Sequence, residues 1–158
     1  MTQGRFSVDT AGPHATEALG EARGAAAEPG DVYLLTGDLG AGKTTLVRGL
    51  ARGLRVPVAV KSPTFAIHLS YPGRLPLHHL DLYRIGGGSE LYELGLDDDL
   101  GRDGVTVIEW GERLGAAAPG FAVTVRLEET GDTRRCLHVA GPVEVVARLA
   151  RAAGQDPS

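Results

Sequence analysis

The sequence predicts a mixed α/β fold, a sheet part parallel and part antiparallel with helices packed against it. Three observations predict it. The β-branched and apolar runs Val32–Thr36 and Val105–Glu109 read as buried strands. Residues 43–54 and 142–153 carry helical spacing, and the alanine-rich residues 13–28 also predict a helix. Two apolar runs, residues 64–70 and 75–83, flank Tyr71-Pro72-Gly73-Arg74. Proline then glycine at the turn centre predicts a type II turn and an antiparallel hairpin. Strands interspersed with helices argue for a layered sheet, and 158 residues fit a single domain, 1–158.

Each element follows from its residues. Residues 5–8 predict a first strand, and the alanine-rich helix over 13–28 is stopped by Pro29-Gly30. In the helix over 43–54, Leu46, Val47, Leu50 and Leu54 share one face, while Arg48, Arg52 and Arg55 lie elsewhere. After the hairpin, Gly86-Gly87-Gly88 breaks the chain before a short acidic helix over 90–96. Two further strands are expected over 121–127 and 137–140. In the closing helix, Val143, Val146, Leu149 and Ala150 share one side. The chain shows no internal repeat and no linker.

Between the strand Val32–Thr36 and the helix from Lys43 lies Gly37-Asp38-Leu39-Gly40-Ala41-Gly42-Lys43-Thr44, which matches G-x-x-x-x-G-K-[ST]. Glycines let backbone N–H groups converge on an anion, and the helix N-terminus adds partial positive charge there. Lys43 is placed to reach β- and γ-phosphates, and the Thr44 hydroxyl to ligate Mg²⁺. Such a site needs acidic partners. Glu109 closes an apolar strand in the Walker B manner, and Asp81 ends Leu77-His78-His79-Leu80 in the same way. Carboxyl ends of strands are where ligands of open α/β sheets collect. One of the two can hold the metal and the other can orient the nucleophile. Ser62-Pro63-Thr64-Phe65 stands where many such proteins sense the γ-phosphate, although a plain loop before a strand has the same pattern.

Composition excludes several classes. With 16 basic and 20 acidic residues the formal charge is −4, which argues against a broad polyanion-coating surface. The lone Cys136 rules out an intrachain disulfide and a multi-cysteine metal cage, and is read as a small core residue. The sequence shows neither a signal core nor an apolar run of membrane-span length, so a soluble, cytoplasmic protein is expected. Adjacent strand histidines His78 and His79 point to opposite faces, which with His68 argues against a zinc site. Asp97-Asp98-Asp99 reads as a solvated loop. D-x-x-G at residues 98–101 follows no buried strand, and no N-K-x-D guanine reader exists, so guanine specificity is not expected.

Taken together, residues 37–45, ending in Thr44-Thr45, then Ser62-Pro63-Thr64-Phe65, His79-Leu80-Asp81-Leu82-Tyr83-Arg84 and Ile108-Glu109-Trp110 resemble the TsaE family. The resemblance runs over roughly residues 15–139. It implies an ATPase of tRNA threonylcarbamoyladenosine biosynthesis with a P-loop NTPase-like fold and ATP and Mg²⁺ as cofactors. By position it implies that Lys43 binds phosphates, that Thr44 and Glu109 hold Mg²⁺, and that Asp81 acts near the γ-phosphate. Thr64 would belong to a switch-like loop, Trp110 would matter for activity, and Thr16 would pack near the adenine. Arg134 resembles the family's late arginine near the nucleotide, with Arg135 beside it. The implied partner is the threonylcarbamoyl transferase heterodimer of TsaB and TsaD, which modifies the adenosine beside the anticodon. Contact with tRNA would be indirect, and the ATPase would reset the transferase between turnovers. Two rival readings are a small-molecule kinase and a nucleotide-gated binding module with incidental hydrolysis.

Overall fold

The structure is a computed structural model, and it describes residues 3–37, 42–60, 68–82 and 103–152. In chain order the elements are β1 (Gln3–Thr10), α1 (Pro13–Ala26), β2 (Val32–Thr36), α2 (Lys43–Gly53), β3 (His68–Tyr71) and β4 (Leu77–Asp81). Then come β5 (Val105–Glu109), a 3-10 helix (Gly111–Ala117), β6 (Val123–Glu129), β7 (Arg135–Pro142) and α3 (Val143–Ala152). The strands form one sheet in the order β1-β7-β6-β2-β5-β4-β3. Its centre is parallel, β6 and β4 flanking the β2–β5 pair, while the β1–β7–β6 and β3–β4 margins are antiparallel. The expected mixed α/β sheet is therefore observed.

Alternation along the strands divides the core. Tyr33, Leu35, Val105, Val107, Val123 and Val125 face one side, where Leu46, Val47 and Leu50 of α2 and Val146, Leu149 and Ala150 of α3 cover them. Val32, Leu34, Leu80 and Ile108 face the other, under Leu114 and Ala122. Central strands β2 and β5 are buried on both faces, which is why they read as unbroken apolar runs. On the second face the β1–β7–β6 portion carries polar side chains. There Arg5, Ser7, Thr36, Thr124, Arg126 and His138 line an open groove of about 630 Å³.

Helix α2 packs against α1 at close backbone approach, with an Arg52–Glu17 ion pair of 3.3 Å beside it. Gly20 and Gly24 of α1 meet Gly49 and Gly53 of α2. A Cβ on Gly20 would lie 2.5 Å from the Leu46 carbonyl oxygen, and one on Gly49 would strike the Glu17 carbonyl. Small residues four apart on both helices permit this approach, which sets the position of the α2 N-terminus over the sheet.

Four expectations need correction. The hairpin exists, but Tyr71 pairs with Leu77, leaving a five-residue loop, and Gly73 lacks the positive φ that a type II turn demands. Tertiary contacts shape that loop instead. Its Arg74 N–H donates to the Leu54 carbonyl at 2.6 Å, and its guanidinium donates to the Gly24 and Ala27 carbonyls. Val143 is 38% exposed, because it opens α3 directly after β7 and the apolar stripe begins one turn later at Val146. The strand expected over 121–127 starts at Val123, with Phe121 exposed in the preceding turn. Cys136 is half-buried rather than core, because it faces the polar side of β7. Residues 64–67 and 83 of the hairpin runs, and residues 86–99, lie outside the described residues.

Candidate functional site

The phosphate-loop unit takes its shape from local chemistry. Gly37 follows β2 with φ 132, and Gly42 caps α2 with φ 104, conformations that favour glycine. No side-chain cap closes the N-terminus of α2, so its first N–H groups have no capping side chain competing with an anion. Lys43, the first residue of the helix, is buried. Its ammonium donates to the Gly37 carbonyl at 2.6 Å and lies 3.8 Å from the centroid of the Trp110 ring. Both contacts hold the charge at the end of the loop. Trp110 reaches that position through a φ of 60, which a bulky residue adopts only at a cost.

Sheet register brings the acidic groups together. Asp81 of β4 stands opposite Glu109 of β5, and Leu35 of β2 stands on the other side of Glu109. Glu109 is almost fully buried. One carboxylate oxygen accepts from the Thr44 hydroxyl at 3.4 Å, and the other lies 2.5 Å from Nε2 of His79. His79 has no exposed surface, and its Nδ1 has no hydrogen-bond partner among the described residues. A hydroxyl and a carboxylate converging beside an N–H-rich helix start form a hard oxygen donor set, which fits a small divalent cation such as Mg²⁺.

A cleft of about 240 Å³ opens beside the loop, lined by Pro13, Thr16, Gly42, Thr45, Thr133 and Arg135 among others. Thr16 is buried there, its hydroxyl 2.7 Å from that of Thr10. Arg135, rather than Arg134, lines this cleft. The Arg135 guanidinium donates to the Gly131, Asp132 and Arg134 carbonyls and so rigidifies the β6–β7 turn. Strand alternation gives the reason: Arg135 begins β7 on the helix-covered side, in phase with Leu137 and Val139, whereas Arg134 precedes the strand and is exposed.

The structure thus brings Lys43, Thr44, Glu109 and Trp110 together, with Asp81 in register beside them and Thr16 and Thr45 in the adjoining cleft. Asp38, Leu39, Gly40, Ala41, Ser62, Pro63, Thr64, Phe65, Tyr83 and Arg84 lie outside the described residues. His79 was missed as a site residue. Period-two alternation carried the signal, since it sets His79 on the same face as Asp81.

A parallel α/β centre, a strand–glycine–helix unit and carboxylates on the adjacent strands define a P-loop protein. The sequence profile of the family described as Threonylcarbamoyl adenosine biosynthesis protein TsaE matches residues 10–137, and the chain belongs to that family. The protein named tRNA threonylcarbamoyladenosine biosynthesis protein TsaE in Treponema pallidum (strain Nichols) is 42% identical over 113 residues, 72% of this chain and 84% of that one. The protein of the same name in Bacillus subtilis (strain 168) is 42% identical over 127 residues, 80% of this chain and 79% of that one. The crystal structure of Bacillus subtilis YdiB superposes with a TM-score of 0.81 at 30% identity, covering 98% of this chain and 97% of that one.

Proposed function

We infer that this chain is a Mg²⁺-dependent ATPase of tRNA threonylcarbamoyladenosine biosynthesis. It serves the transferase that modifies the adenosine beside the anticodon in tRNAs reading codons that begin with A. The observation that supports it best is the Thr44–Glu109 contact at the foot of α2, with Lys43 buried at the end of the glycine loop. Membership of the TsaE family supplies the pathway.

In this reading, Lys43 exchanges the Gly37 carbonyl for the β- and γ-phosphates, while the uncapped N–H groups of α2 hold the phosphate oxygens. Thr44 and Glu109 hold Mg²⁺, which neutralises charge on those oxygens when bound. Asp81, opposite Glu109, orients the attacking water. Trp110 keeps the lysine ammonium in place. The cleft beside Thr16, Gly42 and Thr45 accommodates the adenosine, with Arg135 at its rim. Ser62-Pro63-Thr64-Phe65 acts as the switch-like loop, and Tyr83 and Arg84 contribute to the same activity. The chain works as one domain in the cytoplasm, where the tRNA modified by the transferase resides. No helix among the described residues is long and apolar enough to cross a membrane. The partner is the TsaB–TsaD heterodimer, and tRNA is reached through that complex.

Phosphate release from Mg²⁺-ATP tests the reading. The isolated chain is expected to turn over slowly and the heterodimer to accelerate it, with ADP and free phosphate as products. A phosphorylated small molecule in place of free phosphate would support the kinase reading instead. Fast turnover unchanged by the heterodimer would contradict the partner-dependent role.

A further inference from the structure

The polar portion of the sheet carries a cluster that the nucleotide site does not use. β7 runs between β1 and β6, so side chains in register on the three strands stand side by side. On the face away from the helices, Cys136 lies between Asp9 and Glu128, and His138 lies between Ser7 and Arg126. One ligand atom each from Glu128, Cys136 and His138 come within 4.8 Å of one another. Asp9 of β1 stands opposite Cys136, and burial together with the neighbouring Asp9 carboxylate pushes the thiol above its ordinary value. His138 is oriented at both ring nitrogens: Nδ1 lies 3.0 Å from the Ser7 hydroxyl, and Nε2 lies 3.0 Å from a Glu128 carboxylate oxygen.

That is how proteins present an imidazole to a metal. One ring nitrogen faces the ion, and an oxygen outside the ligand set holds the other and fixes the tautomer. Ser7 is placed to be that oxygen. We propose that His138 Nε2, Cys136 Sγ and the Glu128 carboxylate form a site for a thiophilic divalent cation such as Zn²⁺, with a solvent molecule as the fourth donor. Zinc bonds of about 2.0–2.3 Å put tetrahedral ligand atoms roughly 3.5 Å apart. The widest pair therefore closes by about 1 Å, a rotamer adjustment on part-exposed side chains rather than a backbone movement. On binding, the S–H bond breaks, the S–metal bond forms and the proton passes to solvent. His138 binds through Nε2, with Nδ1 held by the Ser7 hydroxyl.

Donor chemistry separates this site from the one at Thr44 and Glu109. Thiolate and imidazole favour zinc, whereas hydroxyl and carboxylate oxygens favour magnesium. A cation here would tie β7 to β6.

Cobalt(II) titration of the full chain tests the proposal, because Cys136 is the sole source of a thiolate-to-cobalt charge-transfer band. The band is expected to saturate at one equivalent, to disappear on adding Zn²⁺ and to persist in Mg²⁺-ATP. Cys136→Ser abolishes it. His138→Ala and Glu128→Gln each weaken cobalt binding by at least about 10-fold, and Ser7→Ala by up to about 10-fold. Cys136→Ser and His138→Ala keep the ATP turnover of the parent protein. Absence of the band at millimolar Co²⁺ would overturn the site. So would a band of undiminished affinity in both His138→Ala and Glu128→Gln, which would mean that the thiol binds alone. Either failure leaves the nucleotide reading untouched, since the readout does not pass through hydrolysis.

Discussion

His79→Leu removes the imidazole that holds Glu109 while keeping similar bulk in a site with no exposed surface. Glu109 then retains the Thr44 hydroxyl at 3.4 Å, a long hydrogen bond, beside an apolar neighbour where a donor stood 2.5 Å away. A hydrogen bond to a charged group contributes about 1.5–3 kcal/mol. Orphaning one member of a buried ion pair costs about 3–5 kcal/mol. The two ranges meet near 3 kcal/mol, which for a chain of this length lowers Tm by roughly 6–12 °C. Losing the outer partner of a metal ligand also weakens metal affinity by about 10–100-fold. Thermal unfolding and a Mg²⁺ titration of phosphate release are the assays. His79→Gln, which keeps a donor near the Nε2 position, is expected to recover most of the Mg²⁺ affinity. A His79→Leu variant with unchanged Mg²⁺ dependence and unchanged Tm would refute the idea that His79 positions Glu109.

Further outcomes follow from the same geometry. Lys43→Ala is expected to lose ATP binding by at least about 100-fold in a fluorescent-nucleotide titration, as the loss of a charged phosphate contact costs ~3 kcal/mol. Arg135→Ala should weaken nucleotide binding about 5–10-fold by loosening the cleft rim, whereas Arg134→Ala should stay near the parent value, equivalent to about 1 kcal/mol between them. Gly49→Ala should cost about 1–3 kcal/mol in denaturant unfolding, because its Cβ would meet the Glu17 carbonyl across the α1–α2 contact.

What the sequence makes legible is what lies close together in the chain. The β2–loop–α2 unit is contiguous, and the helical stripe of Leu46, Val47, Leu50 and Leu54 is buried as its spacing requires. Glu109 and Asp81 are legible as strand-end carboxylates, but their apposition depends on the parallel register of β4 and β5. His79 and Glu109 are 30 residues apart, and no local pattern announces that pairing. Alternation shows that Cys136 and Leu137 face opposite sides, yet not which side carries helices, so Cys136 reads as core. Gly73 fails for a related reason: the loop conformation follows from Arg74 reaching α1 and the end of α2, contacts that a four-residue turn signature does not contain. The four glycines joining α1 to α2 are visible as i, i+4 pairs, but only the packed helices show that they face one another.

In the proposed function, ATP hydrolysis at Lys43, Thr44, Asp81 and Glu109 sustains a tRNA-modifying transferase. The most direct measurement is a reconstitution with purified TsaB–TsaD heterodimer, threonylcarbamoyl-adenylate and tRNA, following modified adenosine over many turnovers. Addition of this chain with Mg²⁺-ATP is expected to restore repeated turnover, and Glu109→Gln or Asp81→Asn to stop it after the first. Repeated turnover that needs neither the chain nor ATP, or that survives both substitutions, would contradict this role.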